Sequence, residues 1–433
     1  MSATAGEDEG DKAAPHGWRG ILKAFSTPSA ATLFFLGFGC GLVLPLVGYI
    51  ASTRMRDVGM ELGLIGLVSY LTFFYTFKFV WTPLLDRFDS PLLGFLGHRR
   101  GWLVLSQVVL VLSLAGMAVF GPEVAFPLFL VCIGVAALAG ATQDAMVDAY
   151  RIEIAPQSAQ AALAATYTLG YRFALMAAGA GVLYLAEFWT WRDAYLVMAG
   201  LMLLPLGAAL VAREPDQLHS RPQRTLLESF IDPFVEFFRR NGWVLALALL
   251  AFVGLYKLPD QMLGVIAGPF YLDTGFTKAD IATVSKLYGI WIGIGGAFLG
   301  GFAVAAWGMR LPLLIAAITV ALSNLLFIVM SLHPGELWTF VLAISGDNLA
   351  QGFAGTVLVA YMSSLSSRYF TATQYALLSS LANLPGKLIG GVSGFMVESW
   401  GYTGFFLFST LSIVPTLLVM AWLWPRLSRS APS

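Results

Sequence analysis

The stretch ALAGATQDAMVDAY (137–150) ends a long apolar run with two carboxylates, Asp144 and Asp148, and the next apolar run carries Arg172 in LGYR (169–172). Asp144 and Asp148 are four residues apart, so on a helix they share one face. About twenty successive apolar residues suffice to cross the hydrocarbon core of a bilayer. A carboxylate at the centre of such a segment costs roughly 2.5–3.5 kcal/mol by insertion scales, so acids there serve a pathway, a proton relay or a buried partner. The stretch predicts a membrane-spanning helix built around ionisable groups.

Similar apolar runs recur along the whole chain of 433 residues. A composition 58% hydrophobic and 12% charged, with a mean hydropathy of +0.76, excludes a soluble globular domain and indicates a polytopic helical membrane protein. The net charge is zero and no dense basic block occurs, which argues against a nucleic-acid partner. Cys40 and Cys132 both fall in apolar runs, so neither a disulfide framework nor a metal site is expected. The opening MSATAGEDEGDKAAPHGW (1–18) lacks the basic flank of a cleavable signal.

Twelve spans are predicted, near 30–52, 63–83, 102–120, 125–150, 163–187, 193–212, 244–272, 281–306, 312–332, 337–362, 374–398 and 403–424. Outside them, Arg54, Arg56, Arg192 and Lys278 fall on one side of the membrane and every other lysine and arginine on the other. The positive-inside rule then puts both termini in the cytoplasm. The predicted organisation is a cytoplasmic tail (1–29), a six-helix bundle (30–212), a cytoplasmic linker (213–243), a second six-helix bundle (244–424) and a short cytoplasmic tail (425–433). Trp18, Ile21, Leu22 and Phe25 in the first tail form a small apolar face. Leu226, Leu227, Phe230, Phe234, Phe237 and Phe238 form a larger one in the linker, so both segments read as interfacial helices.

The two bundles repeat one another. Phe38…Leu44-Pro45 matches Phe252…Leu258-Pro259, Gly97-His98-Arg99 matches Gly308-Met309-Arg310, and Ala149-Tyr150 matches Ala360-Tyr361, all at nearly the same offset. Parallel six-span repeats with corresponding proline breaks predict an all-α membrane protein of the major-facilitator type, a secondary transporter with its site between the halves.

Five bases fall inside spans: Lys78, Arg172, Lys257, Lys286 and Lys387. Span 7 kinks at Pro259, between Lys257 and Asp260, and Gly268-Pro269 interrupts it again. A local Lys257–Asp260 pair and a substrate contact are equally consistent with that pattern. Lys286 has no acid in its own run and reads as functional. Arg172 and Lys387 occupy equivalent places in the two halves, and bases from both halves favour an anionic substrate, although Arg172 pairing with Asp144 or Asp148 explains it equally well. Lys78, near the inner end of span 2, is expected to snorkel towards the headgroups.

All four histidines lie outside the spans, so an intramembrane proton carrier is a carboxylate, Asp144, Asp148, Asp260 or Asp347, with Asp144 favoured as the titrating group. Asp148 has a rival role as a gate paired with Arg87 or Arg99, in a set of gating residues that includes Asp86, Arg87, Arg99 and Arg100. Asn348 and Gln351 share a helix face with Asp347, and Gln143 precedes Asp144; these amides suit a hydrogen-bonding substrate. Interhelical hydrogen bonding is the plainer alternative. The glycine runs at 293–296 and 300–301 read as packing surfaces. No G-x-x-x-x-G-K-[ST], H-E-x-x-H or G-x-S-x-G occurs, so an enzyme is not expected.

Taken together, LGFGCGLVLPL (36–46), KFVWTPLLDRF (78–88), HRRGW (98–102), ATQDAMVDAYRIEI (141–154), LYKLPDQM (255–262), YLDTGFTKADIATVSKLYG (271–289) and SSRYFTATQYALLSSLANLPGK (366–387) resemble the AmpG muropeptide permeases of Gram-negative bacteria. The resemblance runs through all twelve spans. It implies a multi-pass protein of the bacterial inner membrane that imports anhydro-muropeptides for cell-wall recycling. The implied energy source is the proton gradient, with no cofactor, and a monomer is expected. By resemblance, Asp144 and Asp148 match the family's acids in span 4, and Lys257 and Lys286 its bases in spans 7 and 8. The chain departs from the family where the D-R-x-G-R-R motif is stretched between Arg87 and Arg99, and where Ala305 replaces the acid of its second copy. Alternatives are a transporter of another organic anion, such as acetyl-coenzyme A, and a non-transporting membrane sensor.

Overall fold

The computed structural model describes residues 27–154, 160–215, 226–365 and 371–427. Among these every regular element is a helix. Span 1 is Pro28–Asp57, span 2 Leu62–Phe77, span 3 His98–Val119, span 4 Pro122–Arg151, span 5 Thr166–Phe188 and span 6 Trp191–Val211. Spans 7, 8 and 9 are Trp243–Asp273, Lys278–Trp307 and Arg310–Leu332, and span 10 is Leu337–Leu365. One apolar stretch, Ser380–Pro425, holds spans 11 and 12. Gly386 packs on Gln261, the Tyr402 hydroxyl donates to Asp273 at 2.6 Å, and the Ser409 hydroxyl donates to the Pro259 carbonyl at 2.8 Å. The chain therefore climbs span 7 and descends it again, turning at Gly401, whose φ of 70° suits glycine. By length and composition nine of the described stretches can cross a membrane, one of them holding two predicted spans, and the helices Leu62–Phe77 and Leu337–Leu365 fall at the second and tenth predicted spans.

Local chemistry sets the helix starts. The Thr27 hydroxyl accepts from Ala30 N at 3.2 Å with Pro28 at the first helical position, and Thr190 accepts from Asp193 N at 3.1 Å. Thr277 and Asp280 form a reciprocal capping box at span 8. Span 7 breaks at Lys257, just before Pro259, as expected. The second expected interruption is absent: Pro269 sits inside a helix that continues to Asp273.

Within the halves, small residues bring helices to backbone contact. A Cβ on Gly37 would strike the Tyr167 carbonyl, joining spans 1 and 5. A Cβ on Gly296 would strike the Leu349 carbonyl, joining spans 8 and 10, so the glycine runs of span 8 are packing surfaces. Between the halves, span 1 meets span 7, span 2 meets span 11 and span 5 meets span 8. The last two seams exchange under the repeat. The linker contributes the helix Leu226–Asn241, with Phe237 buried and Arg239 and Arg240 exposed. The apolar face expected at Trp18–Phe25, residues 216–225 and the tail beyond 427 lie outside the described residues.

Candidate functional site

A cavity of about 540 Å³ lies between the halves. The first half contributes Tyr49, Ser52, Ser69 and Thr72. The second contributes Asp260, Lys286, Asp347, Asn348, Gln351 and Lys387. Six of the residues singled out in the sequence thus meet at one place. They reach it because span 7 bends at Lys257, turning Asp260 inward, and because Asp347, Asn348 and Gln351 are neighbours on span 10. Gln351 Nε2 donates to Asp347 Oδ2 at 2.7 Å, and Asn348 Nδ2 to the Ile344 carbonyl at 3.0 Å. Lys387 Nζ crosses between the halves to donate to Thr76 Oγ1 at 2.7 Å. Lys286 Nζ stands 3.4 Å from the centre of the Tyr49 ring.

A second cavity of about 770 Å³ adjoins the first, sharing Ile290, Asn348 and Gln351 as walls. Arg172 lines it together with Gly293, Gly301 and Phe298 of span 8. Arg172 is exposed and, among the described residues, has no ion-pair partner within 4.0 Å, so the alternative that it neutralises Asp144 or Asp148 does not hold here.

Asp144 lies apart from both cavities, in a direct ion pair with Lys78. Asp148 is 4.0 Å from the same ammonium. Lys78, expected at the headgroups, is instead the base that meets the acids of span 4. The sequence placed both groups towards the inner ends of their spans but not the rotation of spans 2 and 4 that brings them together. Lys257 lies outside the cavity lining. It forms no ion pair with Asp260 within 4.0 Å, so a local pair steadying the bend is not what the geometry holds. Gln143 is fully buried, its Nε2 3.7 Å from Cys40 Sγ.

The expected inner gate is partly placed. The side chains of Asp86 and Arg87 lie outside those described. Arg99 donates through Nε and Nη2 to Glu153, at 2.9 and 2.6 Å, and is not paired with Asp148. The backbone N–H groups of Arg99 and Arg100 both donate to Glu214, and Arg100 Nη2 donates to the Leu210 carbonyl at 2.6 Å. These contacts tie spans 3, 4 and 6 of one half to one another. Glu153 and Glu214 were not foreseen.

Contacts across the halves gather at the opposite end. Asp57 and Asp273 close the first span of each half, each two residues before a glycine of positive φ, Gly59 and Gly275. Arg56 donates through Nε and Nη2 to the two oxygens of Asp273, each at 2.7 Å. Reciprocally, Lys278 Nζ donates to Asp57 at 3.0 Å, alongside Trp191 Nε1 at 2.6 Å. Gly63 N donates to Glu398 at 2.8 Å. Gly268 meets Thr53 so closely that a Cβ there would collide with the threonine hydroxyl. These contacts join the two halves at the end the charge pattern assigns to the outside. Arg54, expected in that loop, is fully buried in the span 1 helix, bonded to the Met117 carbonyl and to Glu123.

Comparison with known proteins agrees with this architecture. The sequence profile of the Major Facilitator Superfamily matches residues 29–259. The anhydromuropeptide permease of Escherichia coli K12 is 33% identical over 402 residues, spanning 92% of this chain and 80% of that protein. A Rickettsia felis protein provisionally named as an AmpG transporter is 32% identical over 410 residues, spanning 93% of this chain and 98% of its own. Among solved structures, the peptide transporter POT in complex with sulfate superposes with a TM-score of 0.67 at 13% identity, covering 96% of this chain and 97% of that one. A bacterial homologue of the lysosomal transporter Spinster, inward-facing and unoccupied, gives 0.63 at 17% identity, covering 95% and 98%. Both likenesses concern the fold. The chain belongs to the major facilitator superfamily and, within it, to the AmpG permeases.

Proposed function

We propose that this chain imports anhydro-muropeptides from the periplasm to the cytoplasm across a bacterial inner membrane, together with protons, as a monomer with both termini in the cytoplasm. The observation that carries this reading is the cavity between the halves, where Lys286 and Lys387 face Asp260 and Asp347. It is joined to 33% identity with an anhydromuropeptide permease over nearly the whole chain. A disaccharide bearing a peptide presents hydroxyls, amides and several carboxylates. Lys286, Lys387 and Arg172 supply cationic partners for the carboxylates, and Asn348 and Gln351 donors and acceptors for the rest. Each cavity is of the size of a small-molecule site, roughly 300–1,000 Å³.

Asp144 is the proposed proton carrier. Its contact with Lys78 is made inside one half, so the acid can exchange its partner for a proton without a change at the interface between the halves. Asp148 and the Arg99–Arg100 cluster are proposed to shape the inner gate by bracing the inner end of the first half, where their described contacts lie, rather than by an ion pair across the seam. Uptake of labelled anhydro-muropeptide into proteoliposomes, with and without an imposed proton gradient, tests the whole reading. Gradient-dependent accumulation that unlabelled muropeptide blocks and coenzyme A esters do not is the expected result. The reverse competition favours the acetyl-coenzyme A alternative, and binding without counterflow favours a sensor.

A further inference from the structure

Three described segments wind with wide i→i+5 turns: Leu46–Ile50 in span 1, Ala177–Gly181 in span 5 and Ile281–Tyr288 in span 8. Such turns fit one extra residue into a helix and gather at functional sites. Here all three converge on one side chain. The stem of Lys286 passes 3.5–3.6 Å from the point where a Cβ on Gly179 would stand, and its ammonium lies 3.4 Å from the centre of the Tyr49 ring. Lys286 belongs to the second half, while Tyr49 and Gly179 belong to the first. Tyr49, Gly179 and Lys286 all line the cavity. No described carboxylate lies within 4.0 Å of the ammonium, although Asp347 lines the same cavity. The cation is therefore held chiefly by the face of an aromatic ring contributed by the opposite half.

A ring face and a carboxylate compete for the same cation. The ring offers a modest attraction, whereas a carboxylate accepts a charge-assisted hydrogen bond. We propose that Tyr49 is a positioning residue for Lys286: its ring holds the ammonium in the empty carrier and yields it to a carboxylate of the substrate, so that loading removes a contact between the halves. This rests on the reading of Lys286 as an anion contact and adds the residue that links occupancy to movement. A Cβ on Gly179 would stand in ordinary van der Waals contact with the lysine stem, so the first half packs against the stem as well as the ammonium.

The test measures anhydro-muropeptide binding to purified protein, and uptake by proteoliposomes, for Tyr49→Phe and Tyr49→Leu. Phenylalanine keeps the ring face, so binding and maximal rate stay within about two-fold of wild type. Leucine removes the competitor, so Kd and KM fall about three- to ten-fold while the maximal rate drops. In a Lys286→Met background the same leucine substitution no longer tightens binding. A merely structural role for Tyr49 predicts weaker or unchanged binding in the leucine variant, and that result overturns the proposal alone. If wild-type protein binds no muropeptide, the transport reading falls and this proposal with it.

Discussion

Lys78 and Lys286 both carry a cation into the membrane, and the protein treats them differently. Lys78 meets Asp144 within the first half, with Asp148 close by. Lys286 meets no acid directly and rests on a ring of the other half, inside the cavity. A charge neutralised within one bundle keeps its partner however the bundles rock. A charge held across the interface must lose its partner when they separate. The difference separates a pair suited to proton exchange from a contact suited to sensing substrate and changing state.

The largest effect that would sharpen this contrast comes from Asp144→Asn. Removing one partner of a buried ion pair costs about 3–5 kcal/mol. Side-chain exposures of 31% for Lys78 and 20% for Asp144 bring the expected cost below that range. The variant is expected to melt at lower temperature and to lose accumulation against a gradient, while counterflow persists. Asp144→Asn combined with Lys78→Met restores the melting temperature and leaves accumulation absent. Accumulation by the single variant at the wild-type level breaks the assignment of Asp144 as proton carrier.

Lys286→Met comes next. It removes a cavity cation while leaving every described ion pair intact, so folding should hold. The expected outcome is a KM for muropeptide raised roughly ten-fold, the scale of one charge-assisted contact of about 1.5 kcal/mol, with a smaller change in maximal rate. Uptake kinetics in proteoliposomes read both numbers. An unchanged KM would mean that Lys286 does not meet the substrate, and would erase the comparison.

The contrast itself could not be read from the sequence, although much around it could. Apolar run length and proline spacing placed the membrane helices and the bend of span 7 before Pro259, because these depend on local chemistry and on the bilayer. The grouping of Asp260, Asp347 and Lys286 between the halves was legible from the repeat. Partner choice was not. Lys78 was expected at the headgroups because its distance from Asp144 depends on how spans 2 and 4 are rotated, which hydropathy does not encode. The Tyr49 contact was missed because an aromatic residue in an apolar span carries no mark of the cation it will face. Glu153 and Glu214 lay outside the predicted spans, where acids carry little desolvation cost to draw the eye. The reciprocal Asp57 and Asp273 latches had a usable signal, an Asp two residues before a glycine at the end of each half's first span.

Those latches supply the smallest expected effect, because they lie at the membrane surface, where ion pairs are worth about 0–1 kcal/mol each. Arg56 to Asp273 and Lys278 to Asp57 are both cross-half contacts, like Lys286 to Tyr49, so they too must break when the halves part at this end. Each alone should shift the balance between open and closed states no more than about five-fold. The combination Arg56→Ala and Lys278→Ala should shift it by about the product of the two. Spin labels at Val58 and Glu336, both exposed at this end, would report a larger share of long distances in the double variant. The Lys78–Asp144 variants should leave the same distance distribution unchanged. If they lengthen it as much as the latch variants do, the pair inside the first half is part of the gate as well, and the division between internal and cross-half charges fails.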